Sequence, residues 1–345
     1  MTMKAMFLHA PRDMRLHEIP VPEPGPGEVL MRIRALGICG SDVHYYVDGH
    51  IGDSYPEFPF ILGHEFSGQI EALGPGVEGL PVGTRVAVDP AIPCGKCEVC
   101  LEGNPNCCPN VRFPATPPIP GALSEWYVHP AHLCTPLPDG LDFADGAMLE
   151  PLGVAVHAMT LASLSPGQTV AVLGGGPIGL LVLEVALASG AGAAYLTEPI
   201  RERRALAEDL GATAVCDPGV EDPVEWLMAQ TGGRGVDVAI EAAWGGDAVG
   251  QAILMARYAG RVVLVGIPRE DVTSFCASKA RRKGLTILVS RRMKDVCQRS
   301  IALLDRGVLD VRKLITHRFP LERAAEGFDL VAALADGVVK AMVDM

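Results

Sequence analysis

Residues 170–190 read VAVLGGGPIGLLVLEVALASG, and this stretch decides the fold class. A short apolar run leads into Gly174, Gly176 and Gly179, and a longer apolar segment of helical length follows. The GxGxxG spacing lets the backbone approach a pyrophosphate at the N-terminus of the following helix. The stretch therefore predicts a strand–turn–helix unit that binds a dinucleotide, with Pro177 inside the turn.

Similar units surround this stretch. The apolar runs VAVLG, AAYLTE, VDVAIEA, RVVLVG and LTILVS are mostly separated by helical segments such as RERRALAEDLG. This alternation predicts a parallel sheet with helices on both faces, over residues 153–289. Residues 1–152 are turn-dense and strand-like, and residues 290–345 return to mixed structure. We therefore expect a nucleotide domain inserted into a catalytic domain made of 1–152 and 290–345.

Glu198 ends the strand AAYLTE, 19 residues after Gly179. A carboxylate at this point of a dinucleotide fold accepts hydrogen bonds from the adenosine ribose and repels a 2′-phosphate. The position predicts NAD rather than NADP, although Arg201, Arg203 and Arg204 weaken that preference. The alternative is a glycine turn in a Rossmann-like sheet that binds no ligand.

The composition excludes several classes of protein. The chain has 345 residues, 49% of them apolar, and 41 acidic against 29 basic residues give a formal net charge of −12. A chain this acidic repels phosphate backbones, so nucleic acid is not an expected partner. The N-terminus lacks the apolar stretch of a secretory signal, and glycines interrupt the most apolar segment. We therefore expect a cytoplasmic protein with no membrane association.

Four cysteines are closely spaced as C-x2-C-x2-C-x7-C, at Cys94, Cys97, Cys100 and Cys108. Four thiolates make a closed tetrahedral zinc site, whose role is structural. Cys107 is a neighbour able to replace Cys108 as a ligand. The pattern predicts one structural zinc ion.

A second set of metal-binding side chains is dispersed. Cys39 lies in GICGSDVHYY, His64 and Glu65 lie in FPFILGHEFSG, and Glu150 lies in GAMLEPLGVAVHA. Thiolate, imidazole and carboxylate together suit a zinc ion that keeps one position open for a hydroxyl group. The chain is therefore expected to carry a second, catalytic zinc ion per subunit.

Ser41 and His44 follow Cys39 closely. A hydroxyl and an imidazole beside a metal-bound alcohol are suited to pass its proton to water. The alternative for both residues is a turn with local backbone hydrogen bonds.

The segment at 63–77, GHEFSGQIEALGPGV, resembles the zinc signature of the medium-chain dehydrogenases. GICGSDVH, GHE, the four-cysteine lobe, LEP and GGGPIG occur in the same order as in that family. CGSDVHYY, ATPP and HRFP are similar to its sorbitol and xylitol dehydrogenase branch. The resemblance implies an α/β protein: a GroES-like β-rich catalytic domain with an inserted Rossmann domain, a doubly wound parallel sheet. It also implies an active site in the cleft between the domains and a homo-oligomer, commonly a tetramer.

The same resemblance implies roles for individual residues. Cys39, His64 and Glu65 match zinc ligands, and Glu150 matches a residue at the metal and substrate, bound to zinc directly or through water. The remaining matches are substrate contacts at Tyr45, Phe113 and Arg291 and nucleotide contacts at Ile178, Glu198, Arg203, Val265, Gly266, Ile267, Val289, Ser290 and Arg291.

One position departs from the family pattern. Arg292 stands where the animal enzymes commonly have Tyr, so Arg291 and Arg292 form a basic pair. The pair favours an anionic or phosphorylated polyol, or else it consists of one inward and one solvated arginine.

We therefore predict a zinc- and NAD-dependent dehydrogenase that oxidises a secondary hydroxyl of a polyol to give a ketose. The alternatives are a dehydrogenase for a polyol phosphate, a cyclitol or threonine, and a catalytically inactive NAD-binding protein of the same fold. The identity of the polyol, the carbon oxidised, and the choice between dimer and tetramer stay open at this stage.

Overall fold

A computed structural model describes residues 1–243, 245–268 and 272–345. The chain divides into two compact units. The first comprises Met1–Glu150 and Lys294–Met345, and the second comprises Pro151–Met293. The sequence predicted domain limits at 152/153 and 289/290. Those limits remain a prediction.

The described strands are β1 (Thr2–Ala10), β2 (Asp13–Pro20), β3 (Glu28–Gly37), β4 (Glu65–Leu73), β5 (Arg85–Val88), β6 (Trp126–Pro130), β7 (Cys134–Pro136), β8 (Thr169–Leu173), β9 (Ala193–Thr197), β10 (Ala214–Cys216), β11 (Val236–Glu241), β12 (Ala256–Leu264), β13 (Thr286–Val289), β14 (Ile315–Pro320) and β15 (Lys340–Asp344).

The described helices are α1 (Gly40–Asp48), α2 (Glu98–Leu101), α3 (Phe143–Ala147), α4 (Leu149–Ala162), α5 (Pro177–Ala188), α6 (Arg201–Asp209), α7 (Pro223–Gln230), α8 (Ala248–Met255), α9 (Ala277–Lys283), α10 (Cys297–Asp305) and α11 (Ala324–Ala333). Short 3-10 helices lie at Pro105–Cys107, Ala131–Leu133, Val311–Leu314 and Leu321–Arg323.

The main sheet of the first unit is built around β3. Its strands follow the order β14-β15-β3-β4-β5-β7, and β6 also pairs with β3. β3 buries Val29, Met31, Ile33 and Leu36 completely, so apolar packing fixes its register against the neighbouring strands. Gly37, the last residue of β3, lies opposite Glu65 of β4 and Met342 of β15. Three strands that are distant in sequence therefore meet at Gly37.

The second unit contains a parallel sheet with the strand order β10-β9-β8-β11-β12-β13. All six residues of β11 are buried, as expected for a central strand with both faces covered. The order reverses direction between β8 and β11, and ligands of such sheets bind beyond the carboxyl ends of the strands at this switch point. This architecture confirms the predicted fold class.

Every helix among the described residues is too short or too polar to cross a membrane.

Candidate active site

Cys39, His64 and Glu65 come together in the first unit. Cys39 lies between β3 and α1, His64 directly precedes β4, and Glu65 is its first residue. One ligand atom from each lies within 4.8 Å of the other two. The pairing of β3 with β4 produces this cluster, because Gly37 and Glu65 are register partners. A thiol, an imidazole and a carboxylate at such distances fit the ligand set of a catalytic zinc ion.

Gly37 is the residue that makes room for Glu65. A Cβ atom at position 37 would overlap the Oε2 atom of Glu65. Any other residue at this position would therefore displace the carboxylate from Cys39 and His64.

Lys340, at the start of β15, is a member of this cluster that sequence reasoning missed. Its Nζ atom donates to Oε1 and Oε2 of Glu65, at 2.9 and 2.6 Å, and to the carbonyl of Ile38 at 3.1 Å. Burial opposes its charge, but Glu65 and Cys39 outweigh burial and raise the pKa of Lys340. The available signal was a single cation in the apolar run VVKAMV.

Asp42 is the second member that sequence reasoning missed, although it lies between the predicted Ser41 and His44. Its side chain is 1% exposed, its Oδ1 accepts from the Gly63 N–H at 3.1 Å, and the same atom lies 3.4 Å from Nδ1 of His64. Carboxylates in this position fix the orientation of metal-binding histidines.

The charges around His64 favour a cation. Burial lowers the pKa of His64, but Asp42 and Cys39 outweigh this effect and raise it well above its usual value. The same negatively charged groups that stabilise a proton on His64 would attract a metal cation.

Ser41 and His44 lie on the first turns of α1. The Ser41 hydroxyl donates to Sγ of Cys39 at 3.3 Å. His44 is 4% exposed, and its Nδ1 lies 3.4 Å from Oδ2 of Asp48. The helix thus carries a hydroxyl beside the cluster and an imidazole one turn further on.

Glu150 lies in the first turn of α4 and is 6% exposed. Burial raises its pKa to about 7, and the charges of His64, Glu65, Lys340 and Asp89 act on it as well. Glu150 is therefore electrostatically coupled to the cluster, but it is not one of the three residues whose ligand atoms lie within 4.8 Å of one another.

The residues predicted to contact substrate fall in both units. In the first unit, the ring of Phe113 lies 5.1 Å from the His64 ring, and the buried Tyr45 hydroxyl lies 3.0 Å from Oγ of Ser54. Arg291 and Arg292 belong to the second unit. Arg292 has a φ of 53°, in the left-handed region that few arginines adopt.

The four-cysteine lobe is the second sulfur cluster of the first unit. Cys94, Cys97, Cys100 and Cys108 form one group, and all four are free thiols. Sγ of Cys108 lies 3.6 Å from Sγ of Cys94 and 3.8 Å from Sγ of Cys97. A tetrahedral zinc ion with Zn–S bonds of ~2.3 Å separates its sulfur ligands by about 3.8 Å. The lobe therefore has the dimensions of a zinc site.

Backbone groups in this lobe favour the thiolate of Cys94. The N–H groups of Lys96 and Cys97 lower the pKa of the Cys94 thiol to about 6. Cys107, the alternative ligand, is exposed and lies outside the group of four.

The glycine turn of the second unit joins β8 to α5. Gly174 has a φ of 101°, and a Cβ there would lie 2.7 Å from the carbonyl oxygen of Ala242, so the turn requires glycine. Gly176 caps α5 and Pro177 is its first residue. The first N–H groups of this 12-residue helix have no partner within the helix, as in a dinucleotide site.

Glu198 is buried beside this turn. Its Oε2 accepts from the Gly175 N–H at 2.6 Å and its Oε1 accepts from the Ile200 N–H at 2.9 Å. Nη1 of Arg203 lies 3.9 Å from the place that a Cβ on Gly176 would take. Glu198 therefore holds the glycine turn, a contact that the sequence did not reveal, and a cationic side chain adjoins it.

The other predicted nucleotide contacts follow β12 and β13. Val265 and Gly266 donate to the backbone carbonyl of Glu241, and Ile267 and Val289 are exposed. The hydroxyl of Ser290 is buried, and no described residue offers it a hydrogen bond. A buried polar atom without a protein partner fits a site completed by a bound molecule.

Two family profiles match the chain. The profile described as "Alcohol dehydrogenase GroES-like domain" matches residues 25–139, and the one described as "Zinc-binding dehydrogenase" matches residues 177–306. Together they cover more than half of the chain.

Individual proteins match almost end to end. Sorbitol dehydrogenase of Bacillus subtilis (strain 168) is 36% identical over 341 residues, 99% of this chain and 97% of the relative. Sorbitol dehydrogenase of Pongo abelii is 40% identical over 327 residues, 94% of this chain and 91% of the relative. A crystal structure of a zinc-binding dehydrogenase from Sinorhizobium meliloti 1021, bound to NADP, has a TM-score of 0.91 at 33% identity and covers 100% of both chains. This chain belongs to the zinc-containing medium-chain dehydrogenases, in their polyol dehydrogenase branch.

Proposed function

We propose that this chain oxidises a secondary hydroxyl group of a polyol of the sorbitol or xylitol type to a ketone. The alcohol loses a hydride to NAD⁺ and a proton to water, so the products are a ketose, NADH and H⁺. The cluster of Cys39, His64 and Glu65, with the Ser41 hydroxyl beside it, is the observation that carries this proposal.

Zinc held by Cys39, His64 and Glu65 would lower the pKa of the bound hydroxyl, while NAD⁺ would accept the hydride. Asp42 places a carboxylate oxygen 3.4 Å from Nδ1 of His64, and Lys340 holds the Glu65 carboxylate by hydrogen bonds. Glu150, with a pKa raised to about 7 by burial, is suited to exchange a proton with a substrate hydroxyl.

The proton released from the substrate needs a route to solvent. Oγ of Ser41 is the first acceptor, because it lies beside the cluster. His44, on the next turn of α1, takes the proton from Ser41. Asp48, which lies 3.4 Å from Nδ1 of His44, stabilises the charged imidazole while water removes the proton.

For the cofactor we propose NAD, bound at the glycine turn with its pyrophosphate at the N-terminus of α5. Glu198 and Arg203 oppose each other in this choice, because a carboxylate repels a 2′-phosphate and a guanidinium attracts it. The relative from Sinorhizobium meliloti was crystallised with NADP, so the substrate panel supplies both NAD⁺ and NADP⁺.

A substrate panel tests the function. Sorbitol, xylitol, galactitol, a cyclitol, threonine, a polyol phosphate, ethanol and 2-propanol are each supplied with NAD⁺ or NADP⁺, and reduced nicotinamide is followed. A site that pairs with several hydroxyls rejects substrates that lack them, because its buried polar groups stay unpaired. We expect kcat/KM for the best free polyol to exceed that for 2-propanol by about 10³-fold or more.

Two results would contradict this substrate class. Equal activity on 2-propanol and on every polyol indicates a general secondary alcohol dehydrogenase. Activity on polyol phosphates alone assigns the Arg291–Arg292 pair to anion binding. The Arg291→Ala variant should lose much of the discrimination between polyols and monoalcohols while keeping its zinc content, since Arg291 is proposed to touch the substrate.

We further propose a homotetramer in the cytoplasm. The four-cysteine lobe supports a reducing compartment, because zinc binding needs free thiols. Light scattering coupled to gel filtration measures the assembly; a dimer or a monomer would refute the tetramer.

A further inference from the structure

We propose that Lys340 is a positioning residue for the metal centre: its ammonium group holds Glu65 against Cys39 and His64 and thereby controls how long the site retains zinc. This inference rests on the proposed function, because it assumes that zinc occupies this cluster.

The contacts of Lys340 form a complete site. An ammonium group has three N–H donors and no acceptor. The three acceptors around it are both oxygens of Glu65 and the carbonyl of Ile38, at 2.6, 2.9 and 3.1 Å. Every donor therefore has a partner, and both oxygens of the carboxylate are fixed by one cation.

The burial of this pair separates it from an ordinary ion pair. The side chains of Lys340 and Glu65 are 2% and 1% exposed. An exposed pair, Lys4 with Glu322, has the same 2.6 Å separation but 43% and 49% exposure. Water screens the exposed pair and lets both side chains rotate, whereas burial keeps water from screening the pair of Lys340 and Glu65.

Charge counting gives the buried cation a specific purpose. Cys39, Asp42 and Glu65 supply up to three negative charges around the cluster, and Lys340 supplies one positive charge. Two further positive charges, those of Zn²⁺, bring the sum over these four residues to zero. With Lys340 present, the net negative charge of these residues is the charge that a divalent cation neutralises.

The backbone places Lys340 accurately. β15 lies beside β3, and the Ile38 N–H donates to the carbonyl of Ala341 at 2.9 Å. Lys340 thus spans from the C-terminal strand to Glu65 and to the residue before Cys39. Loss of the hydrogen bonds from Lys340 frees the Glu65 side chain to rotate. Mutation of a residue that hydrogen-bonds to a metal ligand typically lowers metal affinity by about 10- to 100-fold.

The test is a double-mutant cycle on zinc release. Wild type, Lys340→Met, Glu65→Gln and the double variant are loaded with two zinc equivalents and mixed with the chromogenic chelator 4-(2-pyridylazo)resorcinol. We expect Lys340→Met to release one equivalent about 10- to 100-fold faster than wild type. Adding Lys340→Met to Glu65→Gln should change that release less than about twofold, because Lys340 acts through Glu65.

Two controls define the effect. The equivalent held by the four-cysteine lobe should leave at the wild-type rate in all four proteins, and Lys4→Met should match wild type throughout. If Lys340→Met does not fold, Lys340→Gln takes its place with the same expectation, since it keeps a donor for Ile38 and removes the charge.

Zinc release from Lys340→Met at the wild-type rate overturns the inference. It is also overturned if Lys340→Met accelerates zinc release equally in the Glu65→Gln background, because Lys340 would then only stabilise the fold. Either result in a wild type that oxidises polyols leaves the proposed function intact. A wild type that is inactive on every alcohol, yet shows the expected cycle, overturns the function and leaves the role of Lys340 intact.

Discussion

The two sulfur-containing clusters of the first unit are assembled in different ways. The four-cysteine lobe takes all its ligands from residues 94–108, whereas the Cys39 cluster draws on α1, on the start of β4 and on β15. In the lobe, closing a short loop costs little conformational entropy, and nearby N–H groups favour the thiolate of Cys94. In the Cys39 cluster, strand register and two buried carboxylate contacts hold the side chains in place.

The difference teaches which parts of the protein each metal depends on. A closed four-thiolate site stabilises the segment that contains it and leaves no coordination position for a substrate. The surrounding protein sets the geometry of the dispersed site. That geometry can therefore persist when no metal is bound. Changes at the dispersed site should therefore affect turnover, and changes in the lobe should affect stability.

The largest expected effect on turnover comes from Cys39→Ser. We expect kcat/KM to fall by at least about 10³-fold, or about 4 kcal/mol of transition-state stabilisation, because a ligand of the open site is lost. Zinc content should fall by one equivalent, while circular dichroism and NAD binding stay at wild-type values. The matched control is Cys107→Ser, at an exposed thiol outside both clusters, which should change none of these quantities. Full activity in Cys39→Ser would remove this cluster from the mechanism.

Asp42→Asn should have the next largest effect. The amide keeps the acceptor for the Gly63 N–H but removes the charge beside Nδ1 of His64. We expect zinc affinity at the open site to fall by about 10- to 100-fold, measured by competition with a fluorescent chelator. Asp48→Asn changes a carboxylate on the same helix that faces His44 instead, so it should slow turnover without changing zinc affinity. Equal zinc affinities in all three proteins would show that Asp42 serves only the backbone.

Glu198→Ser extends the comparison to the nucleotide turn, where a local glycine motif meets a residue from the next strand. Removing the carboxylate relieves repulsion of a 2′-phosphate and leaves Arg203 to attract it. We expect the ratio of kcat/KM for NAD to that for NADP to fall more than about tenfold, or about 1.4 kcal/mol. Because Glu198 also accepts from the Gly175 N–H, KM for NAD should rise as well. An unchanged ratio would mean that Glu198 supports only the turn.

The smallest effect on turnover, and the clearest on stability, is expected from Cys97→Ser. Loss of the closed site should lower the melting temperature by about 5 °C or more, which corresponds to about 2 kcal/mol in a domain of this size. The kcat/KM of the folded protein, measured well below its melting temperature, should stay within about threefold of wild type. Loss of turnover in fully folded Cys97→Ser protein would break the separation between the two clusters.

The sequence predicted those features that local spacing encodes. The strand–turn–helix at 170–190 and the alternation that follows it predicted the parallel sheet, which the structure confirms. The predicted grouping of four cysteines at 94–108 also matches the group that the structure brings together. Helix, turn and chelate geometry over some fifteen to twenty residues depend on the order of neighbouring residues, so the sequence alone specifies them.

Only the tertiary structure decided how the open site is supported. His64 and Glu65 were visible as a motif, but their partners, Asp42 and Lys340, were not, because one lies 22 residues from His64 and the other 275 residues from Glu65. The register of β3 against β4 and β15 decides these pairings, and apolar packing along β3 sets that register. The contact of Glu198 with the Gly175 N–H instead follows from the parallel pairing of β8 with β9, which places Leu173 beside Thr197. A buried charge takes whichever partner the folded backbone places within reach, since water is absent there to offer another.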